Sequence, residues 1–311
     1  MRVATGVVLI AWATAAVPAA AQCGPGSYLA KVKARPVAES LLVSAPWLAR
    51  HRTDPDLTIL HVARSAAPYD SAHIPGARLV LLGEFTVDRD SILTELPPVE
   101  TLVELLVSKG ITNRGRIVLY GDLLGASRLW FTLDYLGLGN RAAILDGGLA
   151  SWRGARLPLA TKPPAPARRG VLTVHPRPEV VAQASWLKGH LADQKLVVLD
   201  ARTPEEFRGE VAEDGIPRPG HIPGARNLDW TTTLEGGVFK SPATLRGMLA
   251  ELGAPPGTEL VALCRTGTRA SLLYFIGRYL GYPTRLYDGS MNEWSRLPDL
   301  PIATGNESRI R

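Results

Sequence analysis

The feature that most constrains the fold of this chain is an internal duplication. The hexapeptide His-Ile-Pro-Gly-Ala-Arg occurs at residues 73–78 and again at residues 221–226, an offset of 148. Four further pairs follow the same order with offsets between 138 and 144: Trp47-Leu48 with Trp186-Leu187, Ala63-Arg64 with Ala201-Arg202, Tyr135-Leu136-Gly137 with Tyr279-Leu280-Gly281, and Asp146-Gly147 with Asp288-Gly289. Such a period is the length of a domain and exceeds that of a solenoid repeat. The sequence therefore predicts two similar domains in tandem.

The second copy carries an insertion. Tyr69 lies four residues before His73, whereas its counterpart Phe207 lies fourteen residues before His221. The ten extra residues form a polar stretch around Gly209–Gly220. Because His73 and His221 open a turn in both copies, we expect them to be structural.

A proline-rich segment separates the copies. Residues 161–178 contain five prolines, which is typical of a semi-rigid linker, and a short strand is expected over Val171–Val174. The predicted domains then cover residues 38–160 and 179–305.

Apolar runs alternate with segments of helical spacing inside each copy. The expected strands are Leu57–Val62, Ile117–Tyr120, Ala142–Leu145, Leu196–Asp200, Leu260–Cys264 and Thr284–Tyr287. The expected helices are Thr101–Ser108, Ser127–Leu136, Leu245–Leu252 and Ala270–Leu280. Strands that alternate with helices predict an α/β fold in which helices flank a mainly parallel sheet.

Composition excludes several classes of protein. Two cysteines are too few for a disulfide-stapled scaffold or a four-cysteine zinc site. The net charge is +6, but no run of Lys and Arg is longer than two residues and aromatics are 6% of the chain. We therefore expect a mildly basic solvated surface and no nucleic-acid partner.

The N-terminal segment resembles an export signal. Residues 1–21 hold Arg2, an apolar run around residues 7–12 and a terminal Ala-Ala-Ala, which predicts cleavage after Ala21. The mature protein would then be periplasmic or secreted, with no membrane span. Cys23 follows the predicted cleavage point, and its state as a lipidated, paired or free thiol is left open.

The residue types that carry chemistry lie in one predicted loop. Cys264 ends a strand, and Arg265-Thr266-Gly267-Thr268-Arg269 leads into a helix. The N–H groups of such a turn, the helix dipole and two arginines favour a thiolate, which is the nucleophilic form of cysteine. Gly267 permits a tight turn around the sulfur. The alternative is a buried structural cysteine.

The motifs of the second copy together resemble those of the tandem-domain rhodanese sulfurtransferases. They are Asp200-Ala201-Arg202, Gly220-His221-Ile222-Pro223-Gly224-Ala225, the loop from Cys264 to Arg269, and Tyr287-Asp288-Gly289-Ser290. The resemblance covers about residues 40–303. It implies two rhodanese-like domains, of which the second is catalytic and the first is not.

The resemblance also implies the reaction. Cys264 would carry a persulfide in a six-residue loop, take sulfur from thiosulfate or a similar donor, and pass it to cyanide or a thiol. The substrate-binding residues would be Arg265, Thr266, Gly267, Thr268, Arg269 and Arg202, and no metal or organic cofactor is needed. The first copy has Tyr120-Gly121 in place of Cys264 and Val62 in place of Asp200, which predicts a supporting role.

Two positions depart from the family pattern. Met291 stands where a tryptophan is frequent, and Glu206 stands where well-studied tandem members place a donor-binding arginine. Arg202 could instead form a structural ion pair with Glu205 or Glu206.

Alternative chemistries are weighed on the same loop. A cysteine phosphatase needs an arginine six positions after the cysteine, where this chain has Ala270. Because Arg265 and Arg269 suit a dianion, thiosulfate is the expected donor. 3-Mercaptopyruvate as donor, or a persulfide carrier that serves an unknown protein acceptor, are the alternatives.

Overall fold

Two sheets of parallel strands form the framework of the computed structural model, which describes residues 36–167 and 169–306. The predicted signal segment and Cys23 lie outside the described residues and stay predictions. Within these two ranges, no helix combines the length and the apolar character that crossing a bilayer requires.

The first copy contains a parallel sheet and an antiparallel hairpin. Its strands are β1 Leu42–Val43, β2 Leu57–Ala63, β3 Arg78–Leu81, β4 Val87–Arg89, β5 Ile92–Glu95, β6 Arg116–Gly121 and β7 Ala142–Leu145. Its helices are α1 Ala45–His51, α2 Ala67–Ser71, α3 Val99–Ser108, α4 Leu123–Tyr135 and α5 Gly148–Gly154. The sheet has the strand order β1-β7-β6-β2-β3, while β4 and β5 form the hairpin.

The second copy repeats this plan. Its strands are β8 Val181–Ala182, β9 Leu196–Asp200, β10 Arg226–Asn227, β11 Leu234–Glu235, β12 Val238–Phe239, β13 Glu259–Leu263 and β14 Thr284–Tyr287. Its helices are α6 Ala184–His190, α7 Pro204–Arg208, α8 Pro242–Glu251, α9 Thr268–Tyr279 and α10 Ser290–Trp294. The parallel sheet has the order β10-β9-β13-β14-β8, and β11 pairs with β12 in a hairpin. The predicted α/β fold with two tandem parallel sheets is confirmed.

The strand register corrects one predicted equivalence. Val62 pairs with Gly121 in the first sheet, and Asp200 pairs with Leu263 in the second. Since Val62 is the counterpart of Asp200, Gly121 matches Leu263, and the residue in the place of Cys264 is the next one, Asp122. The first copy thus has a carboxylate where Tyr120-Gly121 was expected to replace the cysteine.

Asp122 also shows why the first copy has a shorter turn. It is the N-cap residue of α4 and its side chain accepts a hydrogen bond from the Leu124 N–H at 3.3 Å. In the second copy, four residues (264–267) separate β13 from α9. The first copy has one residue at this point, so it has no loop that could surround a sulfur atom.

Apolar residues form an outer core on each sheet and a shared core between the copies. The outer core of the first copy includes Leu48, Val118 and Trp152, and that of the second includes Leu187 and Trp294. The shared core joins buried residues of both copies into one cluster. Its continuity explains why the copies act as one packing unit, since separating them would expose this apolar face to water.

Helices α4 and α9 occupy equivalent places and pack against each other. The rings of Trp130 and Phe275 meet edge-on at 5.0 Å, and those of Phe131 and Tyr274 do so at 4.9 Å. Trp130 is the counterpart of Tyr274, and Phe131 is the counterpart of Phe275. The two contacts are therefore reciprocal, as in an interface with two-fold symmetry.

The duplicated Asp-Gly dipeptides explain a second reciprocal contact. The Leu96 N–H, just after hairpin β4–β5, donates to the Asp288 carboxylate at 3.1 Å. The Phe239 N–H, at the end of hairpin β11–β12, donates to the Asp146 carboxylate at 3.0 Å. Each hairpin is thus held by the aspartate of the other copy.

The proline-rich segment lies along the first copy without a strand. Val171–Val174, all described, have irregular backbone, so the expected short strand is wrong. Instead the Asn113 N–H donates to the Val171 carbonyl at 3.0 Å, and Asn113 Oδ1 accepts from the Thr173 N–H at 2.6 Å. These bonds satisfy backbone groups that a strand would have paired.

Candidate active site

Cys264 lies in the turn between β13 and α9. Its side chain is buried, with 1% exposed. The first N–H groups of a helix have no partner inside the helix, and the dipole makes this end positive. The fold therefore places the predicted nucleophile where an anionic sulfur can accept hydrogen bonds from the backbone.

Helix α10 holds the start of the cysteine loop, which we define as residues 264–269. The Cys264 N–H donates to Ser290 Oγ at 3.1 Å, and the Cys264 carbonyl accepts from the Met291 N–H at 3.0 Å. The Arg265 carbonyl accepts from the Asn292 N–H at 2.9 Å. Ser290 has a left-handed φ of 52°, which is uncommon for a residue other than glycine. Met291, which stands where the family frequently has a tryptophan, is fully buried in the outer core of the second copy.

Gly267 is required by its surroundings. Its φ is +84°, and a Cβ there would lie 2.7 Å from Asp288 Oδ1 and 3.2 Å from Arg128 Nη1. Any larger residue would clash with this pair and would be strained in its backbone. The predicted tight turn is therefore present, and it is packed against a side chain of the first copy.

Arg269 is engaged by two carboxylates. Its guanidinium donates to both oxygens of Glu206, at 2.6 and 2.8 Å, and lies 3.4 Å from Glu213. Burial lowers the pKa of Arg269, but Glu206, Cys264 and Glu213 together raise it above its usual value. Glu206, the departure from the family pattern, thus neutralises a cation that was predicted to bind substrate.

Arg202 is a structural ion-pair residue in this geometry. Its side chain has no exposed surface, and it donates to Asp200 at 2.7 Å, to Glu213 at 2.8 Å and to the Gly220 carbonyl at 2.8 Å. All three guanidinium nitrogens are occupied by these groups. The structural ion pair is made with Asp200 and Glu213 and not with Glu205 or Glu206, which the sequence analysis named. The substrate-binding role of Arg202 stays a prediction.

The remaining residues of the cysteine loop lie where a donor would approach. Arg265 is partly exposed and donates to the Asp214 carbonyl at 3.2 Å. Thr266 and Thr268 are buried, with 8% and 7% exposed. Their substrate-binding roles, like that of Gly267, stay predictions.

The first copy reaches the cysteine loop through two side chains. The Thr94 hydroxyl, on β5, donates to the Thr266 carbonyl. Arg128, on α4, forms a buried ion pair with Asp288 and donates to the Thr94 carbonyl. Because Asp288 also touches Gly267, the loop is enclosed from the side of the first copy.

A model of the rhodanese-like domain matches residues 44–155 and residues 183–297. The two matches fall on the two sheets with their flanking helices, and together they cover most of the chain. The chain belongs to the rhodanese family. The predicted tandem arrangement is confirmed.

Three relatives of this rhodanese align with it over nearly their whole length. A thiosulfate sulfurtransferase of Azotobacter vinelandii is 36% identical over 269 residues, covering 84% of this chain and 96% of the relative. A probable 3-mercaptopyruvate sulfurtransferase of Pseudomonas aeruginosa is 35% identical over 281 residues, covering 85% and 98%. A sulfur carrier protein of Thermus thermophilus is 33% identical over 288 residues, covering 86% and 98%.

The two repeated histidines of this rhodanese are held in matching ways. His73 stacks on Tyr69 with ring centroids 3.8 Å apart, and His221 stacks on Phe207 at 3.7 Å. Both imidazole rings are fully buried, and each Nδ1 atom forms a hydrogen bond with the backbone carbonyl of the residue on which its ring stacks, at 2.8 Å. These contacts agree with the structural role that was expected of both histidines.

Sequence reasoning missed four residues around the site: Thr94, Arg128, Glu213 and Asp214. Glu213 and Asp214 belong to the insertion, and a signal for them existed, because an insertion of polar residues in one copy alone marks a local function. Thr94 and Arg128 had no such signal, since both come from the copy without a cysteine and touch the site only through the fold.

Glu206 and Glu213 form a carboxyl pair between two arginines. Burial and the neighbouring Glu206 raise the pKa of Glu213 to about 7. Burial also acts on Glu206, but hydrogen bonds with Arg269, Glu213 and Thr203 hold the pKa of Glu206 well below its usual range. The opposite directions of these pKa shifts imply that Glu213 takes up a proton before Glu206 does.

The raised pKa of Glu213 predicts that stability falls as pH rises. A carboxyl whose pKa is higher in the folded state stabilises the fold fully below its unfolded pKa of 4.5 and loses that contribution as pH passes about 7. Glu206 has the opposite sign, and its contribution is lost in stronger acid. Between pH 5.5 and 8 the parent should thus lose on the order of 2 kcal/mol of unfolding free energy relative to Glu213→Gln.

Urea denaturation of parent and variant across this pH range measures the difference. Glu205→Gln, on the same helix as Glu206 and half exposed, is the matched control and should keep the pH dependence of the parent. Parallel curves for the parent and Glu213→Gln would contradict the prediction.

Proposed function

We propose that this rhodanese is a sulfurtransferase that carries sulfane sulfur as a persulfide on Cys264. The observation that supports the proposal most directly is the placement of the buried Cys264 sulfur at the N-terminus of α9, in a loop with two arginines. Relatives named for sulfur transfer match it over nearly their full length.

The proposed reaction has two half-reactions. The Cys264 thiolate attacks the outer sulfur of thiosulfate, a new S–S bond forms, and the bond inside thiosulfate breaks with its electron pair leaving on sulfite. The backbone N–H groups of the loop stabilise the bound persulfide. Cyanide or a thiol then attacks the outer sulfur and restores the thiolate. Two such steps imply ping-pong kinetics.

We propose thiosulfate as the donor, with Arg265 as its main cation. Sulfite leaves with two negative charges, and a guanidinium stabilises that developing charge. Arg269 contributes less because Glu206 and Glu213 share its charge. Arg265 contacts a backbone carbonyl, that of Asp214, so its charge is not cancelled by this contact.

3-Mercaptopyruvate is the second candidate donor, and the same carboxylates favour it. A cysteine loop whose second arginine is neutralised suits a donor with one carboxylate better than a compact dianion. The 35% identical relative from Pseudomonas aeruginosa carries that name. A persulfide carrier for a protein acceptor would use the same Cys264 chemistry, in line with the name of the Thermus thermophilus relative.

Steady-state transfer to cyanide from each donor tests the proposal. Replacing Arg265 by glycine should reduce kcat/KM for thiosulfate by about 30- to 1000-fold, equivalent to about 2–4 kcal/mol, because one charge-assisted donor is lost. The reduction for 3-mercaptopyruvate should be smaller. Arg265→Met keeps the bulk of the side chain and should behave like Arg265→Gly if charge is the cause.

Three results would go against this assignment. An unchanged thiosulfate rate in both Arg265 variants would rule out Arg265 as the donor cation. A parent that prefers 3-mercaptopyruvate would favour the second candidate. No turnover with either donor, together with a persulfide on Cys264, would favour the carrier.

A further inference from the structure

Thr94 has a backbone conformation that needs an explanation. Its φ is +58°, a left-handed value that is a genuine outlier for a β-branched residue. Thr94 lies in a β-bulge, because the pairing of β4 with β5 shifts register between Arg89–Ile92 and Val87–Glu95. The left-handed glycines of hairpin β11–β12, Gly236 and Gly237, lie in its turn and correspond to Asp90 and Ser91.

The bulge accounts for the left-handed backbone of Thr94, and the side chain is a separate matter. Glycine would adopt this conformation in the bulge without strain. The first copy has threonine instead and keeps the strain. Strained residues of this kind persist where the surroundings hold them and often belong to functional sites. The Thr94 hydroxyl makes a hydrogen bond with the cysteine loop that glycine could not make.

All three polar groups of Thr94 are engaged. Its N–H donates to Asp88 Oδ1 at 2.9 Å, its carbonyl accepts from Arg128, and its hydroxyl donates to the Thr266 carbonyl in the cysteine loop. Since Arg128 is itself paired with Asp288 of the second copy, the position of Thr94 is fixed from both copies.

We propose that Thr94 is a positioning residue: its hydroxyl fixes the peptide between Thr266 and Gly267 so that the Gly267 N–H faces the sulfur of Cys264. In a trans peptide the carbonyl and the N–H point in opposite directions, and the described residues contain no cis peptide. The Thr266 carbonyl points out of the loop toward Thr94. The Gly267 N–H consequently points into the loop.

The orientation of this peptide matters because Gly267 could turn either way. Glycine places little restriction on the flanking peptides, so the loop by itself does not determine the direction of the N–H. A hydrogen bond from this N–H stabilises a thiolate or a persulfide anion. The inactive copy thereby completes the anion cradle of the active one. This role rests on the proposed function, in which Cys264 bears the sulfur.

The test compares Thr94→Val, Thr94→Gly and Thr94→Ser in the full-length chain. The pH dependence of iodoacetamide alkylation, followed on the Cys264 peptide by mass spectrometry, reports the thiol directly. In Thr94→Val and Thr94→Gly the midpoint should rise by about 0.5–1 pH unit, since a hydrogen bond to the thiolate is lost. Thr94→Ser retains the hydroxyl and should keep the midpoint of the parent.

Sulfur transfer from thiosulfate provides the second measurement. Thr94→Val and Thr94→Gly should lower kcat by at least about 10-fold with little change in KM, short of the 10²–10³-fold cost of deleting such a donor outright. Thr94→Gly relieves backbone strain and should not lower the urea midpoint, so a loss of activity there is not a loss of folding. Thr86→Val removes a hydroxyl that bonds the Leu82 carbonyl away from the loop and is the matched control.

The charged groups that face Cys264 stay in place in these variants. Arg265 and Arg269 in the cysteine loop, Glu206 on α7 and Glu213 in the insertion do not contact Thr94 in the hydrogen bonds and ion pairs of the described residues. Arg128, which pairs with Asp288 beside Gly267, contacts the backbone carbonyl of Thr94, a group that every one of these variants retains. A shifted alkylation midpoint therefore reports the altered peptide.

The outcomes separate the two proposals. Unchanged midpoints and kcat in both Thr94→Val and Thr94→Gly would overturn the positioning role, and so would a Thr94→Ser variant as impaired as Thr94→Val. If the parent transfers no sulfur from any donor while the midpoint still moves in Thr94→Val, the proposed function fails and the positioning of Gly267 stands.

Discussion

Replacing Cys264 by serine is expected to abolish persulfide formation and to lower sulfur transfer to cyanide by at least about 10³-fold. The reaction needs a sulfur anion as nucleophile and then as leaving group. A serine hydroxyl stays protonated near neutral pH without a general base, and it cannot hold a sulfane sulfur. Intact-mass analysis after thiosulfate treatment should show a gain of about 32 Da, one sulfur atom, in the parent and none in the variant.

The chain offers its own control for this substitution. Cys23 is the other of its two cysteines, and Cys23→Ser should keep both the mass gain and the transfer rate. A Cys264→Ser protein that still gains one sulfur, or that still turns over at the rate of Cys23→Ser, would contradict the persulfide mechanism.

The parts of the fold that the sequence predicted are those with a local cause. β7, β9 and β14 have the predicted bounds, because each is a short and largely buried segment of a parallel sheet. The predicted helices begin a few residues after the helices of the structure do. α4 begins at Leu123 and α8 at Pro242, where Asp122 and Ser241 act as N-caps and precede the apolar periodicity.

The cysteine loop could be predicted because its chemistry is contiguous in sequence. The thiol, two arginines and the glycine turn occupy six successive positions, and a strand and a helix flank them. The charge balance around the loop could not be predicted in the same way. Glu213 reaches Arg202 and Arg269 from an insertion, and the path of an insertion depends on tertiary contacts.

The contacts of the first copy with the loop were beyond sequence reasoning for a related reason. Thr94 and Arg128 lie more than 150 residues from their partners in the second copy, and neither belongs to a repeated motif. The counterpart of Arg128 in the second copy is Leu272, at the offset of 144 found for this helix. The difference between Arg128 and Leu272 has a meaning only when the two copies are seen in contact. The buried arginine then lies beside Asp288, the aspartate that touches the cysteine loop.

Replacing Arg128 by methionine is expected to lower the free energy of unfolding by about 3–5 kcal/mol. Arg128 has no exposed surface, and its guanidinium pairs with the largely buried Asp288. Methionine fills much of the same volume but leaves the Asp288 carboxylate with the Leu96 N–H at 3.1 Å and without a counter-charge. The Thr94 carbonyl also loses its donor. Urea denaturation, analysed by linear extrapolation, measures the loss.

Arg64→Met is the matched control for this substitution. Arg64 is 64% exposed and lies 3.5 Å from Asp122, so its loss should cost less than about 1 kcal/mol. In the double variant Arg128→Met with Asp288→Leu, removal of the stranded carboxylate should recover part of the loss, since an apolar pair replaces a broken ion pair. If Arg128→Met costs no more than Arg64→Met, the ion pair does not hold the copies together. Because Asp288 touches Gly267, a stability loss without any loss of sulfur transfer would further show that the cysteine loop keeps its shape without the Arg128–Asp288 ion pair.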